Sequence, residues 1–168
     1  PLDCIQLHGD EPPELVADLP AVPVIRAVRC HAGQVGEVLK WVDACRARAT
    51  RLAALLIDAV HSGQFGGTGK LADWSLIPAM RAAGIDLPII LAGGLTPATV
   101  ADAILAARPD AVDTASGVER SPGVKDLEKV KRFVAAARLG LMTAAAQSGH
   151  DGGKSHHTEL RSNSATSD

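Results

Sequence analysis

An aspartate that follows a buried apolar run near the middle of the chain could act as a proton donor. The run Ala53-Ala-Leu-Leu-Ile57 has the length and composition of a strand, and Asp58 comes directly after it. At the carboxyl end of a parallel strand, a partly desolvated carboxyl can point into the opening where α/β proteins bind ligands and serve as a general acid. The alternative role for Asp58 is to cap or solvate a loop.

A glycine-rich segment, GQFGGTG at residues 63–69, comes soon after this aspartate. It matches neither the P-loop pattern nor the dinucleotide fingerprint, so it does not predict a nucleotide site. Its glycines, which include Gly67 and Gly69, allow backbone N–H groups to approach an anion or a loop to close over a ligand. A flexible loop that binds nothing is the alternative.

Two further glycine loops follow the last two apolar runs of the chain. Gly93 and Gly94 end one run ahead of a Thr-Pro helix start, and Ser116-Gly117 comes shortly after the other run, which contains Asp113. In barrels, such loops bind phosphate, because exposed N–H groups favour a dianion. The pair of loops predicts a small phosphorylated ligand beside the aspartate, although each loop alone could be a turn.

Four other polar residues have competing interpretations. His8 follows the first apolar run and would lie on the same edge as the acid, or else be a histidine satisfied within its loop. Arg26, inside the second run, either lines the ligand opening or extends outward. Lys125 and Asp126 are predicted at a helix start, outside the chemistry.

The elements that must position these residues alternate between strands and helices. The predicted strands are Cys4–Leu7, Val24–Val28, Ala53–Ile57, Pro88–Ala92 and Ala111–Thr114. The predicted helices are Glu11–Leu19, Gln34–Arg48, Asp73–Ala83, Ala98–Arg108 and Lys125–Arg138. Such alternation indicates crossover units and a parallel sheet covered by helices. Periodicity does not separate an open doubly wound sheet from a closed barrel.

Composition restricts the compartment and the partners. The chain has 168 residues, 46% of them hydrophobic, which is enough for one core. A net charge of -2 gives no basic surface for nucleic acid or membrane lipid, and no apolar run reaches the ~18 residues of a membrane span. Three cysteines without C-x-x-C spacing argue against a disulfide framework or a zinc site and favour the cytoplasm.

The composition changes near residue 140, where polar, glycine and serine residues become frequent. We therefore predict one domain over residues 1–139 and a disordered tail over residues 140–168. His150, His156 and His157 in this tail are interpreted as solvated side chains, since no cysteine or acid stands at ligand spacing, and weak binding of a metal ion is the alternative.

Five motifs then occur in a fixed order. They are Gln6-Leu-His-Gly9, Leu56-Ile-Asp58, Gly66-Gly-Thr-Gly69 with Asp73-Trp74, Leu91-Ala-Gly-Gly-Leu95, and Ser116-Gly-Val-Glu119 with Gly123-Val-Lys-Asp126. Together they resemble the phosphoribosylanthranilate isomerase family of tryptophan biosynthesis over residues 2 to about 138. The resemblance implies a (β/α)8 TIM barrel, of which this chain would hold about five βα units, family strands 4–8. The two outer strands would then lack a neighbour and invite self-association.

The resemblance also implies an activity and roles for these residues. The family carries out an Amadori rearrangement of N-(5-phosphoribosyl)anthranilate to 1-(2-carboxyphenylamino)-1-deoxyribulose 5-phosphate without a metal or organic cofactor. It implies that Asp58 is the general acid that protonates the ribose ring oxygen. It also implies that Asp113 lies near the substrate. The implied phosphate-binding residues are Gly93, Gly94, Ser116 and Gly117.

Two parts of the family pattern are absent from these 168 residues. The family base is a cysteine in a Lys-x-Cys-Gly motif on its first strand, and an arginine on its second strand helps to hold the anthranilate. Cys4 lies on a different strand, so we expect this chain to be weakly active or inactive. The alternatives are a non-catalytic phosphometabolite-binding barrel remnant, or another phosphate-binding barrel such as a ribulose-phosphate epimerase or indole-glycerol-phosphate synthase.

Overall fold

The computed structural model describes residues 2–58 and 74–151, and its centre is a parallel sheet of five strands. The strands are β1 (Ile5–Leu7), β2 (Val24–Val28), β3 (Leu52–Asp58), β4 (Ile89–Ala92) and β5 (Ala111–Val112). The helices are α1 (Pro13–Ala17), α2 (Val35–Ala47), α3 (Leu76–Ala82), α4 (Val100–Ala107) and α5 (Leu127–Asp151). Two 3-10 turns, Ala32–Gln34 and Ser116–Val118, and a small hairpin of β6 (Glu119–Ser121) and β7 (Val124–Lys125) complete the description.

The order of the strands distinguishes the two architectures that periodicity left open. Each strand pairs in parallel with the next strand of the sequence, in the order β1-β2-β3-β4-β5. A doubly wound sheet reverses its strand order at a switch point, whereas a barrel keeps it sequential. The predicted α/β class is therefore confirmed, and the sequential order is that of consecutive barrel units. In the described part of the chain, β1 and β5 each pair with one strand only.

The two faces of the sheet carry different side chains. Leu55 and Ile57 of β3 are fully buried in the main core, which also contains residues of α2, α3, α4 and α5. Leu56 lies instead in a smaller cluster with Ala27 and Ala92. Because successive side chains of a strand alternate between faces, the residue after Ile57 shares the face of Leu56. This face, opposite the main helical core, is called here the inner face.

Helix α5 extends further than the sequence predicted. A disordered tail from residue 140 is wrong for residues 140–151, because the helix continues to Asp151. Gly140 lies so close to α4 that a Cβ would be 3.2 Å from Ile104 Cδ1, and Ala144 is buried. Arg108 also donates hydrogen bonds to the Ala144 carbonyl (3.1 Å) and to Gln147 (2.9 Å). Packing of α5 against α4 thus stabilises the helix beyond Gly140, although the composition there is polar. Residues 152–168 lie outside the described part.

Asp126 lies at the start of α5 as predicted, whereas Lys125, also predicted at the helix start, belongs to β7, and the helix begins at Leu127. Asp126 Oδ1 accepts hydrogen bonds from the backbone N–H groups of Glu128 (3.0 Å) and Lys129 (3.1 Å), which is the geometry of a helix N-cap. Lys125 binds the Ala115 carbonyl (2.7 Å) and Glu119 (2.8 Å), so it secures the hairpin. None of the helices in the described ranges is long and apolar enough to cross a membrane.

Candidate functional site

Asp58 is the last residue of β3, and its side chain is 20% exposed. Its register partner on β4 is Ala92, which Gly93 follows directly. All five strands are parallel, so their carboxyl ends meet at one edge, called here the carboxyl edge of the sheet. The aspartate and the first glycine loop therefore lie side by side at this edge, on adjacent strands.

The loops that follow β4 and β5 contact each other closely. The Asp113 N–H donates to the Leu91 carbonyl (2.9 Å), and the Thr114 hydroxyl donates to the Leu95 carbonyl (2.7 Å). A Cβ on Gly117 would lie 1.8 Å from the oxygen of Leu95, so only glycine fits at that position. These contacts make the two loops one structural unit.

Backbone conformation explains the glycine pair in the first of these loops. Gly93 and Gly94 have φ values of 95° and 63°, a region that side-chain-bearing residues avoid. After them, Thr99 Oγ1 accepts a hydrogen bond from the Thr96 N–H (3.1 Å), and the Thr96 carbonyl accepts one from Val100 (3.0 Å). Helix α4 itself begins at Val100 with Thr99 as its N-cap residue, so the predicted helix start at Thr96-Pro97 is too early. The turn over residues 96–99 fixes the direction in which the chain leaves the glycine pair.

An ion-pair chain joins the ends of β1, β2 and β3. Arg29 Nε lies 3.6 Å from Asp58 Oδ2, and Arg29 Nη2 lies 3.0 Å from His8 Nε2. A guanidinium can only donate hydrogen bonds, so we assign the acceptor role to Nε2 and the ring proton to Nδ1 of His8. His8 thus lies on the same edge as the aspartate, as predicted from the sequence. Arg29 was not among the predicted site residues, although it follows β2 as directly as His8 follows β1.

A cleft of about 330 Å³ opens at the ends of β1 and β2. It is lined by His8, Gly9, Asp10, Arg26, Ala27, Val28 and Arg29. The two arginines of this lining have different surroundings, since Arg26 lies within β2 and Arg29 follows the end of that strand. Arg26 is 12% exposed, whereas Arg29 is 67% exposed and lies next to the acid.

A second polar cluster supports the loop that carries His8. Arg26 forms an ion pair with Glu11, and its guanidinium lies 4.8 Å from the ring centroid of Trp41. The Trp41 indole N–H donates to the Glu11 carbonyl (3.0 Å), and the Gly9 N–H donates to the Glu11 carboxylate (3.0 and 3.1 Å). Arg26 therefore lines the cleft, and the Glu11 carboxylate neutralises its positive charge.

The charge of Glu11 is itself stabilised by this arrangement. Burial works to raise the pKa of Glu11, but backbone hydrogen bonds at Glu11 and Gly9, together with Arg26, lower this pKa below its ordinary value. The carboxylate is therefore the form that the cluster favours. The Glu11 carboxylate, by accepting the hydrogen bonds of the Gly9 N–H, joins the two ends of the loop from Gly9 to Glu11.

The remaining predicted site residues occupy the end of β5. Asp113 and Ser116 are exposed, and Gly117 is half-buried beside Leu95. Gly67 and Gly69 lie outside the described residues. Across residues 2–58 and 74–151, no group of three or more His, Cys, Asp or Glu side chains is placed to hold a metal ion.

Known proteins match this chain over most of its length. The family model of N-(5'phosphoribosyl)anthranilate (PRA) isomerase matches residues 1–136. An N-(5'-phosphoribosyl)anthranilate isomerase of Myxococcus xanthus (strain DK1622) is 44% identical over 141 residues, which cover 82% of this chain and 61% of the relative. The corresponding protein of Roseiflexus sp. (strain RS-1) is 47% identical over 139 residues, with 82% and 60% covered.

Solved structures of phosphoribosyl anthranilate isomerases also align with this chain. Phosphoribosyl anthranilate isomerase from Thermotoga maritima aligns with a TM-score of 0.66 and 36% identity, covering 82% of this chain and 62% of that one. A second structure holds reduced 1-(o-carboxyphenylamino)-1-deoxyribulose 5-phosphate and aligns with a TM-score of 0.62 and 34% identity, with 82% and 60% covered.

This chain thus spans 61% of the length of its Myxococcus relative. The structural neighbours are (β/α)8 barrels, and the five sequential strands seen here are consistent with part of that barrel. The family match over residues 1–136, the sequential sheet and the paired glycine loops agree with one another. The chain belongs to the N-(5'-phosphoribosyl)anthranilate isomerase family.

Proposed function

We propose that this chain provides the acid and the phosphate-binding loops for isomerisation of N-(5'-phosphoribosyl)anthranilate in tryptophan biosynthesis. The product would be 1-(2-carboxyphenylamino)-1-deoxyribulose 5-phosphate, and the compartment would be the cytoplasm. The observation that carries the proposal is the position of Asp58, whose backbone pairs with Ala92 immediately before the glycine pair. A proton donor and a set of backbone amides are thereby next to each other at one edge.

In the proposed reaction, Asp58 protonates the ring oxygen of the ribose. The C1–O bond then breaks, the furanose opens, and the nitrogen lone pair forms a Schiff base at C1. Loss of the C2 proton gives an enol, which becomes the ketone of the product. The side chain of Asp58 is 20% exposed at the end of a buried strand, a setting that suits a proton donor.

The phosphate of the substrate is assigned to the loops after β4 and β5. Gly93, Gly94, Ser116 and Gly117 leave the backbone uncovered by large side chains, so N–H groups can approach a dianion. The hydrogen bond from Thr114 to the Leu95 carbonyl (2.7 Å) keeps these loops in place before the ligand arrives. Asp113, at the same end of β5, is proposed to lie near the sugar.

The base that removes the C2 proton is not assigned to any cysteine of this chain. Cys4 comes before β1, at the opposite edge from Asp58. Cys30 is next to Arg29, but burial raises the pKa of its thiol and so disfavours the reactive thiolate. Burial likewise raises the pKa of Cys45, a fully buried residue of α2. We therefore propose that this chain alone has weak or no isomerase activity.

Complementation tests this proposal. The 168-residue chain is mixed with a family segment that contains the Lys-x-Cys-Gly motif, and conversion of N-(5'-phosphoribosyl)anthranilate is followed. We expect conversion in the mixture and little in either component. A mixture that binds the reduced product analogue but converts no substrate would favour a non-catalytic phosphometabolite-binding protein. A mixture that does neither would contradict the proposed function.

A further inference from the structure

Arg29 and Asp58 lie side by side on the inner face of the sheet. They directly follow Val28 and Ile57, which are register partners on β2 and β3. Ile57 is buried in the main core, and Val28 packs against that core. Because successive residues of a strand face opposite sides, the two residues that follow share the inner face. This placement brings Arg29 Nε within 3.6 Å of Asp58 Oδ2.

His8 reaches the same guanidinium from the strand on the other side. It follows Leu7 of β1, which packs with Cys45 of α2 in a separate core cluster, so alternation turns His8 to the inner face as well. Arg29 Nη2 lies 3.0 Å from His8 Nε2. The sheet order β1-β2-β3 places Arg29 between His8 and Asp58 and makes it the link between them.

The shape of the arginine side chain suits it to this role. Its two contacts use different nitrogens of one planar guanidinium, Nε toward the carboxylate and Nη2 toward the imidazole. One rigid group therefore orients two partners at the same time. A lysine has a single nitrogen at the end of a flexible chain, so it would hold the same two partners less firmly.

These contacts act on the direction of the side chains more than on the stability of the fold. The Arg29 side chain is 67% exposed, and exposed ion pairs contribute little to the free energy of unfolding. An aspartate side chain rotates between staggered conformers, and a partner at one of its oxygens favours one of them. A reacting group displaced by about 1 Å can lose roughly 10²-fold in rate, so the orientation of Asp58 matters for turnover.

We propose that Arg29 is a positioning residue, whose guanidinium holds the Asp58 carboxyl and the His8 ring in one orientation on the inner face and so sets the direction from which Asp58 gives its proton. This inference rests on the proposed function, because it takes Asp58 as the proton donor. Arg29 acts through Asp58 and contacts neither the sugar nor the phosphate.

The state of the His8 ring gives a test that does not require activity. Nitrogen NMR of the full 168-residue chain at about pH 8, where histidine is neutral, distinguishes a ring proton on Nδ1 from one on Nε2. We expect the proton of His8 on Nδ1 in the unmodified chain, because Arg29 donates to Nε2. Arg29→Met keeps the length of the side chain without its donors, so the ring should become a mixture of the two forms.

Turnover in the complemented mixture gives the second test. Arg29→Met should lower kcat by about 10- to 100-fold and leave the affinity for the reduced product analogue within a few-fold. In a chain that already carries Asp58→Asn, the same substitution should cause no further loss, because Arg29 acts through that carboxyl. Arg29→Lys should recover part of the lost kcat.

A matched control and a stability measurement exclude a general effect of losing an arginine. Arg48→Met removes an arginine that pairs with Glu14 away from the cleft, so kcat and the His8 ring should be unchanged. The urea midpoint of Arg29→Met should equal that of the unmodified chain, because the side chain is exposed.

The other outcomes contradict the inference in different ways. An unchanged kcat or an unchanged His8 ring in Arg29→Met means that Arg29 does not position these groups, and the proposed function stands without it. A loss of analogue affinity as large as the loss of kcat makes Arg29 a ligand contact instead, and a further loss on top of Asp58→Asn makes it independent of the acid. If the unmodified mixture converts no substrate, the proposed function and this inference are both contradicted.

Discussion

Asp58 and Ala92 are register partners on adjacent parallel strands, and Gly93 follows Ala92 directly. This pairing joins the proposed proton donor to the proposed phosphate-binding loops through the hydrogen-bonding pattern of the sheet. The sheet itself sets their spacing, because both residues belong to paired strands. The chemistry proposed for the site requires this proximity.

Replacement of Asp58 by asparagine separates its chemical role from its role in binding. Asparagine has a similar shape but does not donate a proton as an acid, so turnover in the complemented mixture should fall about 10²–10⁴-fold. Affinity for the reduced product analogue should stay within a few-fold of the original value. Asp102→Asn, in the first turn of α4, is a matched control that should leave turnover unchanged. Normal turnover of Asp58→Asn would remove this residue from the mechanism.

Substitution of Gly117 by alanine tests the contact between the two loops. The added Cβ would lie 1.8 Å from the Leu95 carbonyl oxygen, so the loops must separate. We expect a loss of about 1–3 kcal/mol in the free energy of unfolding and weaker binding of the phosphorylated ligand. Urea denaturation and ligand titration measure the two effects.

A second glycine provides the control for that substitution. Gly36 lies in α2 and has no heavy atom within 4 Å of an added Cβ. Gly36→Ala should stabilise the protein by about 0.5–1 kcal/mol, because alanine has less freedom to lose in a helix. If Gly117→Ala behaved like Gly36→Ala, the close approach of the loops would be wrong.

Much of this fold could be predicted from the sequence, because short apolar runs and glycine loops identify strands and their ends. The ion pair between Arg29 and Asp58 could not, since it depends on which strands are neighbours and on the face that each residue shares. The hairpin of β6 and β7 was missed although Pro122-Gly123 is a common turn pair, and Gly123 has a φ of 77°.

The predicted start of the disordered tail at residue 140 was wrong for a different physical reason. Local composition near Gly140 favours a helix end, but the absence of a side chain there is what allows α5 to approach Ile104 of α4. A sequence pattern records propensity and does not record which surface is available for packing. The sequence alone therefore predicted a helix that ends too early.

Truncation tests the stabilising role of this extension. Ending the chain after residue 139 removes the contact at Ala144 and the acceptors of two Arg108 hydrogen bonds. The free energy of unfolding should fall by about 1–3 kcal/mol, as expected for two lost hydrogen bonds. A chain that ends after residue 151 should keep the original stability. Equal stability of the two truncated chains would contradict the packing described for α5.

The lowered pKa of Glu11 predicts a dependence of stability on pH. A carboxyl whose folded pKa lies below its unfolded value contributes stability above that value, 4.5, and loses it as pH falls through the folded pKa. Glu11→Gln should therefore be less stable than the original chain near pH 7, and the difference should shrink below about pH 4.5. Urea midpoints at several pH values measure it.

Glu14 on the next turn provides the matched control for this prediction. Its carboxylate pairs with Arg48 at an exposed position, and exposed pairs contribute little to stability. Glu14→Gln should change the urea midpoint only slightly at any of these pH values. A Glu11→Gln variant whose deficit is the same at low and neutral pH would contradict the linkage to its carboxylate.

The central claim is that the acid and the glycine loops form one site at one edge of the sheet. Its most direct test is a nuclear magnetic resonance titration of the 168-residue chain with the reduced carboxyphenylamino-deoxyribulose phosphate, following the backbone amides of Asp58, Gly94 and Gly117. We predict that all three amide signals shift with a single dissociation constant. Shifts at the two glycines with an unchanged Asp58 signal, or two different dissociation constants, would contradict a shared site.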